Sequence, residues 1–149
     1  MLIALVKIDV AAVDLNRSAQ QVRSLAEGGT AAEPGLLWVF NLAANASGQR
    51  RDLRFWRGEL RAYSTSTGSA CRQKGIEQVL AEILPAQRNF FSAGEIDQLF
   101  QIRPRTRIDL NHELQGELNH GRYSYARASL AKFLTRRWLG GEIERRFAS

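Results

Sequence analysis

The stretch Ser92-Ala-Gly-Glu-Ile-Asp-Gln-Leu-Phe-Gln-Ile-Arg-Pro-Arg-Thr-Arg107 decides how this chain is read. Ser92 precedes Glu95 at capping-box spacing, so each side chain can satisfy an orphan backbone N–H at the start of a helix. Ile96, Leu99 and Phe100 recur on one face of that helix. Arg103-Pro104 then interrupts it. Pro104 has no N–H to lose and a preset φ, so it fits the first position of a new helix carrying Ile108, Leu110 and Leu114. The spacing predicts two short helices joined by a tight turn.

Working outward, Gly116 is expected to end the second helix, and residues 121–125 are short and aromatic enough for a strand. Residues 126–139 read as a closing helix with Leu130, Phe133, Leu134 and Trp138 on its apolar face, before Gly140-Gly141. Upstream, residues 73–84 place Ile76, Val79, Leu80, Ile83 and Leu84 at helical spacing, and Pro85 supplies the stop. The small polar run from Tyr63 to Ala70 has no periodicity and reads as a linker. It divides the chain into an N-terminal unit (1–62), a linker (63–71) and a C-terminal unit (72–149).

The N-terminal unit repeats the layout without repeating the residues. Val10, Val13, Leu15, Val22 and Leu25 fall at helical spacing, broken at Asn16-Arg17-Ser18, where Ser18 can cap a second helix. Gly28-Gly29 closes that helix. The run Leu36-Leu-Trp-Val-Phe40 has the composition of a buried strand, and residues 51–56 read as its returning partner in a hairpin, although Trp56 to Tyr63 could equally continue as helix.

With 149 residues, 44% hydrophobic and 24% charged, the chain is long enough for a sizeable core and unlike a disordered segment. Its apolar runs are too short to span a bilayer, and Lys7 follows the first of them instead of preceding it, so a cytoplasmic protein without a secretory leader is expected. One cysteine, Cys71, and two histidines, His112 and His120, give neither an internal disulfide nor a clustered metal set. The net charge of +6 sets 21 basic residues, all arginine except Lys7, Lys74 and Lys132, against 15 acidic ones. GC-rich coding would enrich arginine equally, but the guanidinium fork also suits phosphates and guanine edges, so a polyanionic partner is indicated. The charge gathers between residues 46 and 61, around Pro104, and again at Arg122, Arg127, Arg136 and Arg137.

Two helices across a tight turn, followed by a glycine and a short strand pair, form the layout of a helix-turn-helix with a wing. In such a motif the leading end of the second helix meets base edges. Arg103, Arg105, Thr106 and Arg107 stand there, with Asn111 one turn on in reach of an adenine. Arg122 and Tyr123 occupy the wing, facing backbone or minor groove. In the first half the corresponding residues are Arg17, Ser18, Gln20, Gln21 and Arg23, with Arg50, Arg51 and Arg54 on its hairpin.

The quoted stretch, followed by Glu113-Leu-Gln-Gly-Glu-Leu118, Arg122-Tyr-Ser-Tyr125 and Leu130-Ala-Lys-Phe-Leu134, resembles the excisionase-like and MerR-like winged helix-turn-helix domains over residues 92–139. Residues 8–61 resemble them more loosely. Asp109 and Glu113 on the second helix depart from the family's pattern. The resemblance implies a mostly helical α+β fold with one winged helix-turn-helix and a second, smaller unit of the same kind. It also implies sequence-directed binding of double-stranded DNA through Arg105, Thr106 and Arg107, with backbone contacts from Arg122 and Tyr123. A small transcriptional regulator, or an excisionase-type accessory factor of a phage or mobile element, is the expected role, without enzymatic activity, cofactor, metal or membrane. The alternative is a protein-interaction or phage morphogenesis adaptor that associates with itself or a partner chain.

Other features read more plainly. Trp38, Phe40, Phe55 and Trp56 beside Arg50, Arg51 and Arg54 match the aromatic-basic recipe for single strands, but core packing is the commoner use of such residues. Cys71 has no neighbouring histidine to make it a nucleophile. The Gly28-Gly29 and Gly140-Gly141 pairs match no phosphate-cradling frame.

Overall fold

Ser92 caps a helix as its spacing predicts. Its hydroxyl accepts from Glu95 N at 3.3 Å, and the Glu95 carboxylate accepts from Ser92 N at 3.0 Å. Arg88 donates to the same carboxylate and pins the box from outside. The computed structural model describes residues 3–27, 38–43, 51–60 and 76–139. The expected linker, Gly28-Gly29, Arg50, Cys71 and everything after Leu139 lie outside the described residues.

The chain is an α+β protein. Among the described residues it has seven α-helices and two three-stranded antiparallel sheets. The first half runs β1 (Leu5–Val6), α1 (Ile8–Leu15), α2 (Ala19–Glu27), β2 (Val39–Asn41) and β3 (Leu53–Trp56), with sheet order β1-β3-β2. The second runs α3 (Ile76–Ile83), β4 (Phe90–Ser92), α4 (Ala93–Leu99), α5 (Pro104–Asp109), α6 (Asn111–Leu114), β5 (Glu117–Asn119), β6 (Arg122–Ala126) and α7 (Arg127–Arg137), with order β4-β6-β5. Leu110, at φ −91° and ψ −1°, breaks the expected second helix into α5 and α6. Strands β1 and β4 are too short to have a readable alternation, and the sequence does not announce them.

The first strand, first helix and turn of the two halves match position by position. One constant offset relates Val6 to Phe91, both buried, as well as Ala11 to Ile96 and Leu15 to Phe100. It also relates Asn16 to Gln101, the left-handed residues (φ 54° and 50°) that close each first helix. Ser18 corresponds to Arg103, each just before the next helix. In each half the residue before the first strand accepts from the residue after the last: Arg57 N donates to Ala4 O at 3.0 Å, and Arg127 N to Asn89 O at 2.8 Å. Each half is thus a strand, a helix, a left-handed turn, a second helical segment (α2 in the first half, α5 and α6 in the second) and two further strands, the last of which sits in the middle of the sheet.

The expected boundary at residues 63–71 does not divide the hydrophobic core. One face of the first sheet, Val6, Val39, Leu53 and Phe55, packs on Ala11, Leu15 and Val22 of its own helices. The opposite face, Leu5, Trp38, Phe40 and Trp56, joins Leu42 in a cluster with Leu84, Leu99, Phe100, Leu130 and Leu134 of the second half. Trp38 stacks on Trp138 with ring centroids 4.9 Å apart, and Phe40 forms a β-bridge to Trp138. The four aromatics of the first sheet are therefore core, Phe40 and Phe55 being fully buried.

Polar groups lock the same seam. Ala4 N donates to Leu99 O at 3.1 Å, and Lys7 N to the Gln101 side-chain carbonyl at 2.7 Å. Arg54, 3% exposed, sends Nε to Phe100 O and Nη2 to Gln101 O, both at 3.0 Å, and is ion-paired to Asp52. From the other side Arg137 Nη1 donates to Asn41 O at 3.0 Å and Ala43 O at 2.6 Å while its fork grips Glu113. Replacing Arg54 by alanine strips partners from buried carbonyls at the α4–α5 turn and should cost about 2–3 kcal/mol. Lysine should not restore it, because one ammonium cannot replace the fork. Urea denaturation checks both: the midpoint falls for each variant while the slope is kept.

Candidate nucleic-acid interface

The turn Phe100-Gln101-Ile102-Arg103 sets the surface. Gln101 takes the left-handed conformation, Ile102 N donates back to Asp97 O at 3.0 Å, and Pro104 starts α5 at its first turn. Arg103 and Arg105 project from this leading end into solvent. The Arg105 side chain is 86% exposed and lies 3.7 Å from Asp109 one turn on, a surface pair that leaves the guanidinium accessible. Thr106 is half-buried behind them.

Arg107 corrects the expectation. Its guanidinium turns inward, 9% exposed, with Nε donating to Asp97 at 2.7 Å and Nη1 to the Tyr125 hydroxyl at 3.3 Å. It ties α4, α5 and β6 together and is not available to a base. Asn111 is likewise occupied, because its side-chain carbonyl accepts the Tyr125 hydroxyl at 2.7 Å. The sequence does carry a signal for both: Arg107 stands on the stripe of Leu110 and Leu114, which are buried, and Asn111 stands one turn on from it. Arg54 is the third correction. It lies between Leu53 and Phe55 on a strand whose two faces are both covered, and it serves the α4–α5 turn.

The acidic residues of the second helix split in two. Asp109 stays on the exposed face beside Arg105, whereas Glu113 turns toward α7, where Arg137 and Arg136 meet it. Hydrogen bonding from Arg137 holds the Glu113 carboxyl below the usual carboxylate range, against the opposing effect of burial.

The hairpin after α6 is reached through Gln115, in the left-handed region at φ 55°, and then Gly116. The helix ends where Gly116 predicts, but the glycine serves a different need. A Cβ there would collide with the Asn111 side chain and come within 2.8 Å of the Tyr125 ring. β5 and β6 pair in the register Glu117↔Ser124, Leu118↔Tyr123 and Asn119↔Arg122, so Arg122 and Tyr123 stand exposed beside the turn.

In the first half Arg17, Gln20 and Arg23 are exposed along the start of α2. Ser18 and Gln21 form a capping box of their own: Ser18 Oγ accepts from Gln21 N at 3.2 Å, and the Gln21 side chain accepts from Ser18 N at 3.0 Å. These two side chains are spent on the helix end. Arg51 is exposed and, with Lys7 and Arg23, lines a cavity of about 210 Å³ at the N-terminus of α1. The structure thus brings Arg103, Arg105, Arg122 and Tyr123 to the surface of one half, and Arg17, Gln20, Arg23 and Arg51 to that of the other. No helix among the described residues is long and apolar enough to cross a membrane. Comparison with known proteins gives no match: no family model, curated protein or solved structure is significantly similar to this chain.

Two outcomes follow from this packing. Gly116→Ala forces the Asn111–Tyr125 contact apart and should lower stability by about 2 kcal/mol, measured as a fall in the denaturation midpoint. Glu113 has a depressed pKa in the folded chain, so its stabilisation is full above the ordinary glutamate pKa and is lost as pH falls through the lower, folded value. Wild type should therefore exceed Glu113→Gln in stability at neutral pH, and a pH series of melting curves should show the gap closing on the acid side.

Proposed function

We propose that the protein is a double-stranded DNA-binding factor built from two winged helix-turn-helix units, with α5 and α2 as the helices offered to the groove and the β5–β6 hairpin as a wing. The observation that carries this reading is the repeated strand, helix, left-handed turn, helix and hairpin, with exposed cations at the leading end of each second helix. In a helix-turn-helix that end meets base edges, and it is where the helix dipole also favours phosphate. Arg103 and Arg105 supply the guanine- or phosphate-binding fork in one unit, and Arg17, Gln20 and Arg23 supply fork and amide in the other. Arg122 reaches backbone from the wing, and Tyr123 stands beside it. Arg54, Arg107 and Asn111 act behind this surface by holding the helices in position.

The proposed role is that of a small transcriptional regulator or an excisionase-type accessory factor, working by electrostatic docking followed by discrimination at a few side chains. Such work needs no cofactor and no bond-making chemistry.

Equilibrium binding to random duplex at a series of salt concentrations tests the reading. Affinity should fall steeply with salt, and Arg103→Ala and Arg105→Ala should each weaken binding and lower the logarithmic salt slope by about 1. Absence of binding at low salt would refute the proposal and favour an adaptor that binds protein.

A further inference from the structure

The β5–β6 hairpin carries a feature that phosphate docking leaves unused. Leu118 is 59% exposed and Tyr123 37%, and the two are Cα partners across the strands, so their side chains share one face of the ribbon. The next residue on that face, Tyr125, is fully buried. The Tyr123 ring stacks on it at a centroid distance of 6.4 Å. Tyr125 is in turn bonded to Asn111 and Arg107, and Arg107 to Asp97. The apolar pair at the tip is thereby rooted through one tyrosine to α4, α5 and α6.

The tip is also preorganised. His120 and Gly121 both have positive φ, 50° and 77°, as a two-residue hairpin turn of the primed type requires, and such a turn matches the twist of its strands. On the opposite face the last pair is Asn119 with Arg122, both exposed. Glu117 lies farther from the turn and on that opposite face. The end of the ribbon therefore presents a leucine and a tyrosine on one side and a guanidinium on the other.

We infer that this hairpin is a wedge: Leu118 and Tyr123 enter the minor groove of bound duplex, part a base step and kink the helix axis, while Arg122 holds the adjacent phosphate. The inference rests on the DNA-binding reading above. Size decides for DNA over a protein partner. A stable protein interface covers about 800 Å² on each side, far more than two side chains at a hairpin tip can supply. Parting a base step takes only one or two apolar side chains.

The experiment is energy transfer between fluorophores at the two ends of a duplex, read at saturating protein. Wild type should raise the transfer efficiency. Leu118→Ala/Tyr123→Ala should lose that rise while keeping affinity within about tenfold, because phosphate contacts dominate binding. Arg103→Ala should do the reverse, binding more weakly yet giving the full rise at saturation. Tyr123→Phe, which keeps the ring on Tyr125, should bend as wild type does, and the retained affinity of the double variant shows that it is folded. If wild type saturates the duplex without a rise, or the double variant bends it fully, the wedge is overturned while DNA binding stands. If wild type fails to bind duplex at low salt, the DNA-binding reading falls and the wedge with it.

Discussion

The architecture depends on two arginines that carry charge into the seam between the halves. Arg54 reaches from the first sheet to the carbonyls that end α4, and Arg137 reaches from α7 to the carbonyls that end β2. Those carbonyls are orphans by geometry, lying at or just past the end of a helix and of a strand, and burial without partners would be costly. A guanidinium serves here because it offers several donors in fixed directions and a carboxylate can balance it, Asp52 in one case and Glu113 in the other. Around these two points the apolar contacts of Leu5, Trp38, Phe40 and Trp56 close the gap, so the first half is fixed on the second.

That arrangement divides the arginines into two populations with different work. Arg54, Arg107 and Arg137 are interior and set positions; Arg103, Arg105 and Arg122 are at the surface and free to meet a polyanion. A basic sequence of this kind overstates the charge available for binding, since part of it is neutralised by internal carboxylates. The acidic residues of the second helix divide in the same way: Glu113 belongs to the seam, and Asp109 meets Arg105 only through a solvated pair.

Local signals were the legible part of the fold. The capping box at Ser92, the proline at the start of α5, the cap at Ser18 and the apolar stripe of α3 all depend on neighbours within a few residues, and each helix stands where they place it. The strands β1 and β4 were not legible, because two or three residues have no periodicity and their pairing is decided by partners far along the chain. Burial of Arg107 was legible only from its place on the stripe of Leu110 and Leu114; residue type pointed the other way. Arg54 could not be assigned without knowing that a second layer covers its strand. In the candidate interface, therefore, the leading end of α5 was readable, and the division of its arginines between surface and interior was not.

The two sheets differ in how their outward sides are finished. In the first that side is a set of large apolar groups sealed against the second half, while in the second it carries Ser92, Ser124, Glu117, Asn119 and Arg122, with Phe90 alone among them as an exposed aromatic. A third copy of the motif would find no greasy platform to settle on. A side finished in this way resists stacking by another sheet, as the polar faces of solenoid end units do.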